Sequence, residues 1–182
     1  KRVLILGLGI SGISAANFCA GKGARVLAAD EAQATQISGL DALATGIETV
    51  TGSDLPDPAD FDLVVPSPGI PHARYAARAR EVAGDVELAG QFLEVPIVAV
   101  TGTNGKSTTV RLIEAMLQSA GLRAKAAGNV GTPALSLVGQ ALDVAVLEVS
   151  SFQLEAVEHF RPRVAAILNL SPDHLDRHGD FA

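Results

Sequence analysis

Apolar residues fall along this chain in short runs that alternate with helix-spaced patterns. Residues 3–6 form one run, broken by glycines at 7, 9 and 12; beyond the break Ile13, Ala16 and Ala20 recur at helical steps, and residues 25–29 form a second run. The same order returns later. Residues 96–100 are apolar, residues 101–105 are small, polar or glycyl, and Val110, Ile113, Leu117 and Ala120 follow at helical spacing. Short apolar runs bounded by turn residues predict strands, and three- and four-residue steps predict one apolar helix face. Strands alternating with helices predict an α/β fold with parallel sheets.

Further strands are predicted at residues 48–51, 62–65, 123–126, 142–149 and 164–168, the last two read as buried. Residues 74–82 predict a surface helix whose arginines at 74, 78 and 80 are solvated, and residues 86–94 an amphipathic one. Pro133 suits the first turn of another helix. Residues 31–43 are small and polar with a helical tendency toward their end. A second strand, loop and helix unit begins just past residue 94, which predicts two α/β domains, 1–94 and 95–182.

Each unit carries a glycine loop. Gly7-Leu8-Gly9-Ile10-Ser11-Gly12 is a G-x-G-x-x-G sequence between strand and helix, and Asp30 ends the next strand eighteen residues after Gly12. An acidic residue there bonds a ribose hydroxyl, so a nucleotide site follows, a dinucleotide by default. A glycine-rich turn with no ligand is the alternative. The turn Ser67-Pro68-Gly69 closes a parallel strand at its carboxyl end, where an open α/β sheet keeps its ligand crevice.

In the second unit Gly102, Thr103, Asn104, Gly105, Lys106, Ser107 and Thr108 join strand to helix. Converging N–H groups, a helix N-terminus and a lysine are how a chain grips a polyphosphate. The Ser107 hydroxyl then faces Mg²⁺. A full Walker pattern has glycine five positions before Gly105, where Val100 stands, so the loop is a shortened variant; a tight turn with a solvated lysine is the alternative. Glu148 is the acidic residue near the end of an apolar strand, costly to bury unless it meets a cation. It is a candidate metal ligand, against the alternative of a strand-end carboxylate reaching solvent. His174 follows another strand in a polar loop on the phosphate-loop side of the sheet, a ligand or metal position. His178 is a weaker candidate, and His72 and His159 read as surface residues.

Composition narrows the classes. Of 182 residues 48% are hydrophobic and 19% charged, which is globular; the net charge of −6 and pI near 5.1 argue against nucleic acid or anionic membrane as partners. No run approaches the ~20 apolar residues of a membrane helix. The apolar run after Lys1-Arg2 is broken by glycine, so a first strand explains it better than a signal peptide. The single cysteine, Cys19, suits core packing in a reducing compartment. The chain starts without Met and stops without a terminating pattern, which predicts a piece of something longer.

Through both glycine loops, Ser67-Pro68-Gly69, Gly128-Asn129, the stretch 148–155 and Asp173-His174-Leu175-Asp176-Arg177, the chain resembles the Mur ligases of bacterial cell-wall synthesis. The resemblance implies a Rossmann-like parallel-sheet domain holding the UDP of a UDP-sugar, not a nicotinamide, followed by part of a P-loop ATPase-like α/β central domain. It implies contacts to the UDP-sugar from Ile10, Ser11, Gly12, Asp30, Ser67, Pro68, Gly69, Asn129, Ser150 and Gln153. Where the family often has a uracil-stacking arginine, two residues after Asp30, this chain has Ala32. It implies ATP and Mg²⁺ as cofactors, Lys106 on the β- and γ-phosphates, Ser107 and Glu148 on one Mg²⁺, and Glu148 with His174 on a second. The implied reaction phosphorylates the carboxylate of UDP-N-acetylmuramoyl-L-alanine and joins it to D-glutamate, in a cytoplasmic and monomeric parent whose later residues include a carbamylated lysine and a third domain. The other readings are an NAD(P)-dependent oxidoreductase, which leaves Lys106, Glu148 and His174 without a task, and a non-catalytic nucleotide-binding module.

Overall fold

The computed structural model describes residues 1–129 and 131–180; Val130, inside the loop 128–133, and the terminal Phe181 and Ala182 lie outside them. The fold is α/β, with two four-stranded parallel sheets. The first comprises β1 (Arg2–Leu6), β2 (Arg25–Asp30), β3 (Glu48–Thr51) and β4 (Leu63–Pro66), ordered β3-β2-β1-β4. Helix α1 (Ile10–Gly21) links β1 to β2. The chain then crosses to the far side of β1, so a crevice opens above the carboxyl ends of β1 and β4.

Helix α2 (Asp85–Phe92) leads into the second sheet of β5 (Ile97–Thr101), β6 (Ala124–Gly128), β7 (Val144–Glu148) and β8 (Val164–Ile167), ordered β6-β7-β5-β8. Helix α3 (Lys106–Ser119) follows β5, and the short helices α4 (Ser151–Leu154) and α5 (Leu175–His178) follow β7 and β8. Val100 pairs in register with Glu148, and Thr101 with Ile167, so the loops after β5, β7 and β8 emerge side by side.

One apolar cluster runs through both sheets. Val3 and Ile5 of β1, Ala15, Ala16 and Cys19 of α1, Val86 and Ala89 of α2, and Ile97, Ala145 and Leu147 of the second sheet all belong to it. Burial lifts the Cys19 thiol to about 11, as a core position requires. Two carboxylates fasten α2 across the seam. Glu87 Oε2 accepts the backbone N–H groups of Glu158, His159 and Phe160, each at 3.0 Å. Burial raises its carboxyl, but these donors and Gln91 outweigh it and hold the group below its usual range. Asp85, 2% exposed, accepts from Gln153 Nε2 at 3.1 Å.

Several local expectations are corrected. Residues 74–82 form no α-helix: a 3₁₀ turn, His72–Arg74, ends where the helix is expected to start, Tyr75 is drawn into the core beside Leu4, Leu6 and Phe61, and Val82 bridges to Val64 as a short parallel continuation. These tertiary demands override helical propensity. Two of the arginines there are paired rather than free, Arg74 in a fork with Glu31 at 2.6 and 2.8 Å and Arg78 with Asp57. The β8 stretch is a strand but not a buried one. It stands at the edge with Val164 53% and Ile167 66% exposed, because only β5 flanks it in this sheet. Ala120 lies past the end of α3 and is exposed, and after Pro133 there is a 3₁₀ turn, Ala134–Leu137. Residues 31–43 hold two more such turns, Ala34–Gln36 and Leu40–Ala42.

Candidate active site

The first glycine loop is built by close approach. A Cβ at Gly12 would stand 1.9 Å from the carbonyl oxygen of Gly7, so only glycine lets α1 start this near to β1. Ser67 Oγ donates to that same carbonyl at 2.8 Å, which fastens the turn after β4 to the loop. Asp30 accepts from Leu8 N at 2.6 Å through one oxygen and from Ala32 N at 2.8 Å through the other. Its carboxylate therefore shapes the loop, with lone pairs left for a hydroxyl. Ile10 and Gly69 are exposed at the crevice, Pro68 is half-buried, and the Ser11 hydroxyl is hydrogen-bonded to Asp85.

The second loop is knitted to the segment after β8. Thr103 N donates to Asn169 O at 3.1 Å, Asn104 N to Asn169 Oδ1 at 2.9 Å, and Thr103 Oγ1 exchanges hydrogen bonds with the main chain of Ser171. Gly105 takes a left-handed conformation, φ 84°, as it turns the chain into α3. Ser107 and Thr108 are exposed on the first turn, where helix N–H groups have no carbonyl one turn back. Lys106 Nζ folds over the loop, donating to Gly102 O at 2.7 Å and Thr103 O at 3.0 Å. An ammonium so placed is within reach of any phosphate the loop holds.

Glu148 ends β7 and is 2% exposed. Its Oε1 accepts from Asn129 Nδ2 at 2.9 Å, and the backbone N–H of Asn129 donates to its carbonyl, also at 2.9 Å. This contact depends on Gly128, where a Cβ would meet the Glu148 carbonyl oxygen at 2.1 Å. Glu148 Oε2 is buried without a partner. An orphaned carboxylate oxygen is what a cation site leaves exposed to its ion, so the donor set fits Mg²⁺. Among the described residues no three His, Cys, Asp or Glu side chains converge. Serine, glutamate and histidine alone suit an ion that keeps waters and phosphate oxygens as its other ligands.

A cavity of about 390 Å³ lies over this edge, lined by Gly102, Lys106, Asn129, Ser150, Phe152 and His174 among others. The His174 ring packs on Phe152 with centroids 4.7 Å apart, and His178 stacks on the same ring at 5.6 Å. Ser150 caps α4, accepting from Gln153 N at 3.2 Å while its own N–H donates to Gln153 Oε1 at 2.9 Å. Gln153 is 3% exposed, with its side-chain amide hydrogen-bonded to Ser150 and Asp85. Sequence reasoning gives no role to Asp85, Phe152 or Arg177, although the last two lie in stretches that carry the family resemblance. A carboxylate at a helix start, GDVE, was the only signal for the first.

Residues 1–90 match the family model described as "Mur ligase MurD-like, N-terminal domain", and residues 100–182 match "Mur ligase middle domain". Curated relatives named UDP-N-acetylmuramoylalanine--D-glutamate ligase are 48% identical in Koribacter versatilis, over all of this chain and 42% of that protein, and 49% identical in Anaeromyxobacter dehalogenans, over 98% of this chain and 41% of that one. The fold is shared with UDP-N-acetylmuramate:L-alanyl-gamma-D-glutamyl-meso-diaminopimelate ligase from Neisseria meningitides (TM-score 0.56, 19% identity, 99% of this chain and 64% of that one). It is shared too with UDP-N-acetylmuramate-alanine ligase from Thermotoga maritima (TM-score 0.54, 21% identity, 99% and 44%). The chain belongs to the Mur ligase family. It spans about 42% of the length of the curated relatives it matches.

Proposed function

We propose that this chain is the nucleotide-sugar-binding part and the first ATP-binding part of a ligase that adds D-glutamate to UDP-N-acetylmuramoyl-L-alanine. The observation that carries the reading is the buried, unpartnered Glu148 oxygen at the same sheet edge as the Lys106 loop and His174. The relatives' name supplies the substrates, and residues 1–94 and 95–182 are the two domains in this reading.

In that reading the first N–H groups of α3 and the Lys106 ammonium hold the phosphates of ATP. Ser107, Glu148 and His174 would hold Mg²⁺, which when bound supplies charge neutralisation at the phosphoryl oxygens. The glycine loop, Asp30 and the turn at residues 67–70 seat the UDP, and Asn129 and Ser150 face the sugar end. The substrate carboxylate attacks the γ-phosphorus, ADP leaves, and the D-glutamate amine displaces phosphate from the acyl carbon. Two anions must meet for the first step, so fixed positive charge at the γ-phosphate lowers its barrier. The protein works in the cytoplasm as a monomer. Among the described residues no helix is long and apolar enough to cross a membrane.

Calorimetric titration of the full-length protein with UDP-N-acetylmuramoyl-L-alanine, ATP with Mg²⁺, and NADH tests the assignment. The UDP-sugar and ATP with Mg²⁺ each bind, and NADH does not. NADH affinity equal to or above that of the UDP-sugar favours the oxidoreductase reading and contradicts this one.

A further inference from the structure

The guanidinium of Arg177 spans the two sheets. It forms a two-pronged ion pair with Glu155, Nε to Oε1 at 3.1 Å and Nη2 to Oε2 at 2.6 Å, and the side chains are only 14% and 19% exposed. Its other donations cross to the turn after β4: Nη2 to Ile70 O at 3.0 Å and Nη1 to Gly69 O at 3.4 Å. The group also lies over Phe152, 4.9 Å from the ring centroid. A planar fork with five donors can serve a carboxylate, two carbonyls and an aromatic face together; a lysine cannot.

Both ends of this tie are placed at candidate ligand positions. On one side the turn is fastened through Ser67 to Gly7 of the first glycine loop. On the other, Arg177 belongs to the same helical turn as His174, which precedes α5, and the His174 ring rests on the Phe152 ring that Arg177 covers. His174 is held with a left-handed backbone, φ 50°, a conformation that a non-glycine residue keeps only when its surroundings impose it. Arg177 is one of the groups that impose it, since its hydrogen bonds anchor α5 to residues more than a hundred positions earlier in the chain.

We propose that Arg177, held by Glu155, is a positioning residue that registers the turn at residues 67–70 against His174, so that nucleotide-sugar binding in the first crevice orders the histidine in the phosphate cavity. This rests on the reading of the two sites given above. A shift of ~1 Å in a reacting group can lower the rate by about a hundredfold, so such a tie acts on turnover as well as on binding.

Hydrogen exchange on the full-length protein, with and without UDP-N-acetylmuramoyl-L-alanine and in the absence of ATP, reads the coupling. In the wild type the ligand slows exchange at residues 67–70 and also at 174–178. In Arg177→Met, which keeps bulk over Phe152 but removes the fork, ligand protection stays at 67–70 and is lost at 174–178. The same variant loses roughly tenfold or more in kcat, while its affinity for ATP measured alone stays within about twofold. Glu155→Gln keeps the carbonyl contacts and loosens their anchor, and gives the same pattern in milder form should Arg177→Met fold poorly. Ligand protection at 174–178 that persists in both variants overturns the proposal, because the tie is then only structural. No protection at 67–70 in the wild type means instead that the nucleotide-sugar reading has failed.

Discussion

Asn129 Nδ2 donates to Glu148 Oε1 at 2.9 Å, leaving the other oxygen of this buried carboxylate unpaired. Half of the carboxylate is thus oriented by the protein and half is kept for something else. Asn129→Ala removes the only donor to Oε1 among the described contacts and should destabilise the protein by about 1–3 kcal/mol, measured by urea unfolding. Glu148→Gln should behave differently. It removes a buried charge with an unmet oxygen, so stability changes little while the Mg²⁺ concentration needed for half-maximal ATP turnover rises. An unchanged Mg²⁺ requirement would remove Glu148 from the metal site.

Gly12→Ala tests the first loop by packing alone. The added methyl would meet the Gly7 carbonyl at 1.9 Å and Ser67 Oγ at 2.8 Å, and the first of these is backbone. Overpacking of this kind destabilises by about 1–3 kcal/mol or more. UDP-sugar affinity falls with it, since the loop must shift. Wild-type stability in this variant would mean that α1 and β1 stand farther apart.

Much of this fold is legible locally. Strands β1, β2, β5 and β7 and helices α1 and α3 follow from runs and periods, because their cores are filled by residues a few positions apart. Glycines 7, 12, 102 and 105 and Lys106 are legible for the same reason. What was not legible depends on partners far along the chain. Residues 74–82 have a helical composition, but Tyr75 and Val82 find better places against β1 and β4. The apolar residues of β8 read as buried because a run of amino acids does not disclose its place in the sheet order. Gln153 reads as polar and available, yet Asp85, 68 positions earlier, has claimed its amide.

The Asp85 contact carries a pH signature. Burial raises this carboxyl above its ordinary 3.8, against smaller downward pulls from Gln153, the Val86 N–H and Ser11. The folded chain therefore holds a proton at pH values where the unfolded chain has released it. The stability this group contributes is full at acid pH and declines as pH rises through the unfolded value of about 4 toward the folded one. Asp85→Asn lacks that decline, so its unfolding free energy gains on the wild type between about pH 4 and the folded value, followed by urea titration at several pH values. Parallel profiles would show that the carboxylate is no harder to ionise in the folded state.

Lys106→Met separates the two sites. Among the described residues its ammonium hydrogen-bonds to the phosphate loop, through the Gly102 and Thr103 carbonyls. ATP affinity should fall at least about tenfold, the loss of one charge-assisted contact, while UDP-sugar affinity stays within about twofold. Equal losses for both ligands would place Lys106 in a shared site.

The most direct measurement is ligation by the full-length protein. Supplied with UDP-N-acetylmuramoyl-L-alanine, ATP, Mg²⁺ and labelled D-glutamate, it should release ADP and phosphate in step with label transferred to the nucleotide sugar, and release neither when D-glutamate or the UDP-sugar is withheld. Reduction of NAD⁺ or NADP⁺ by the protein, or ATP turnover with no D-glutamate joined, would contradict the account.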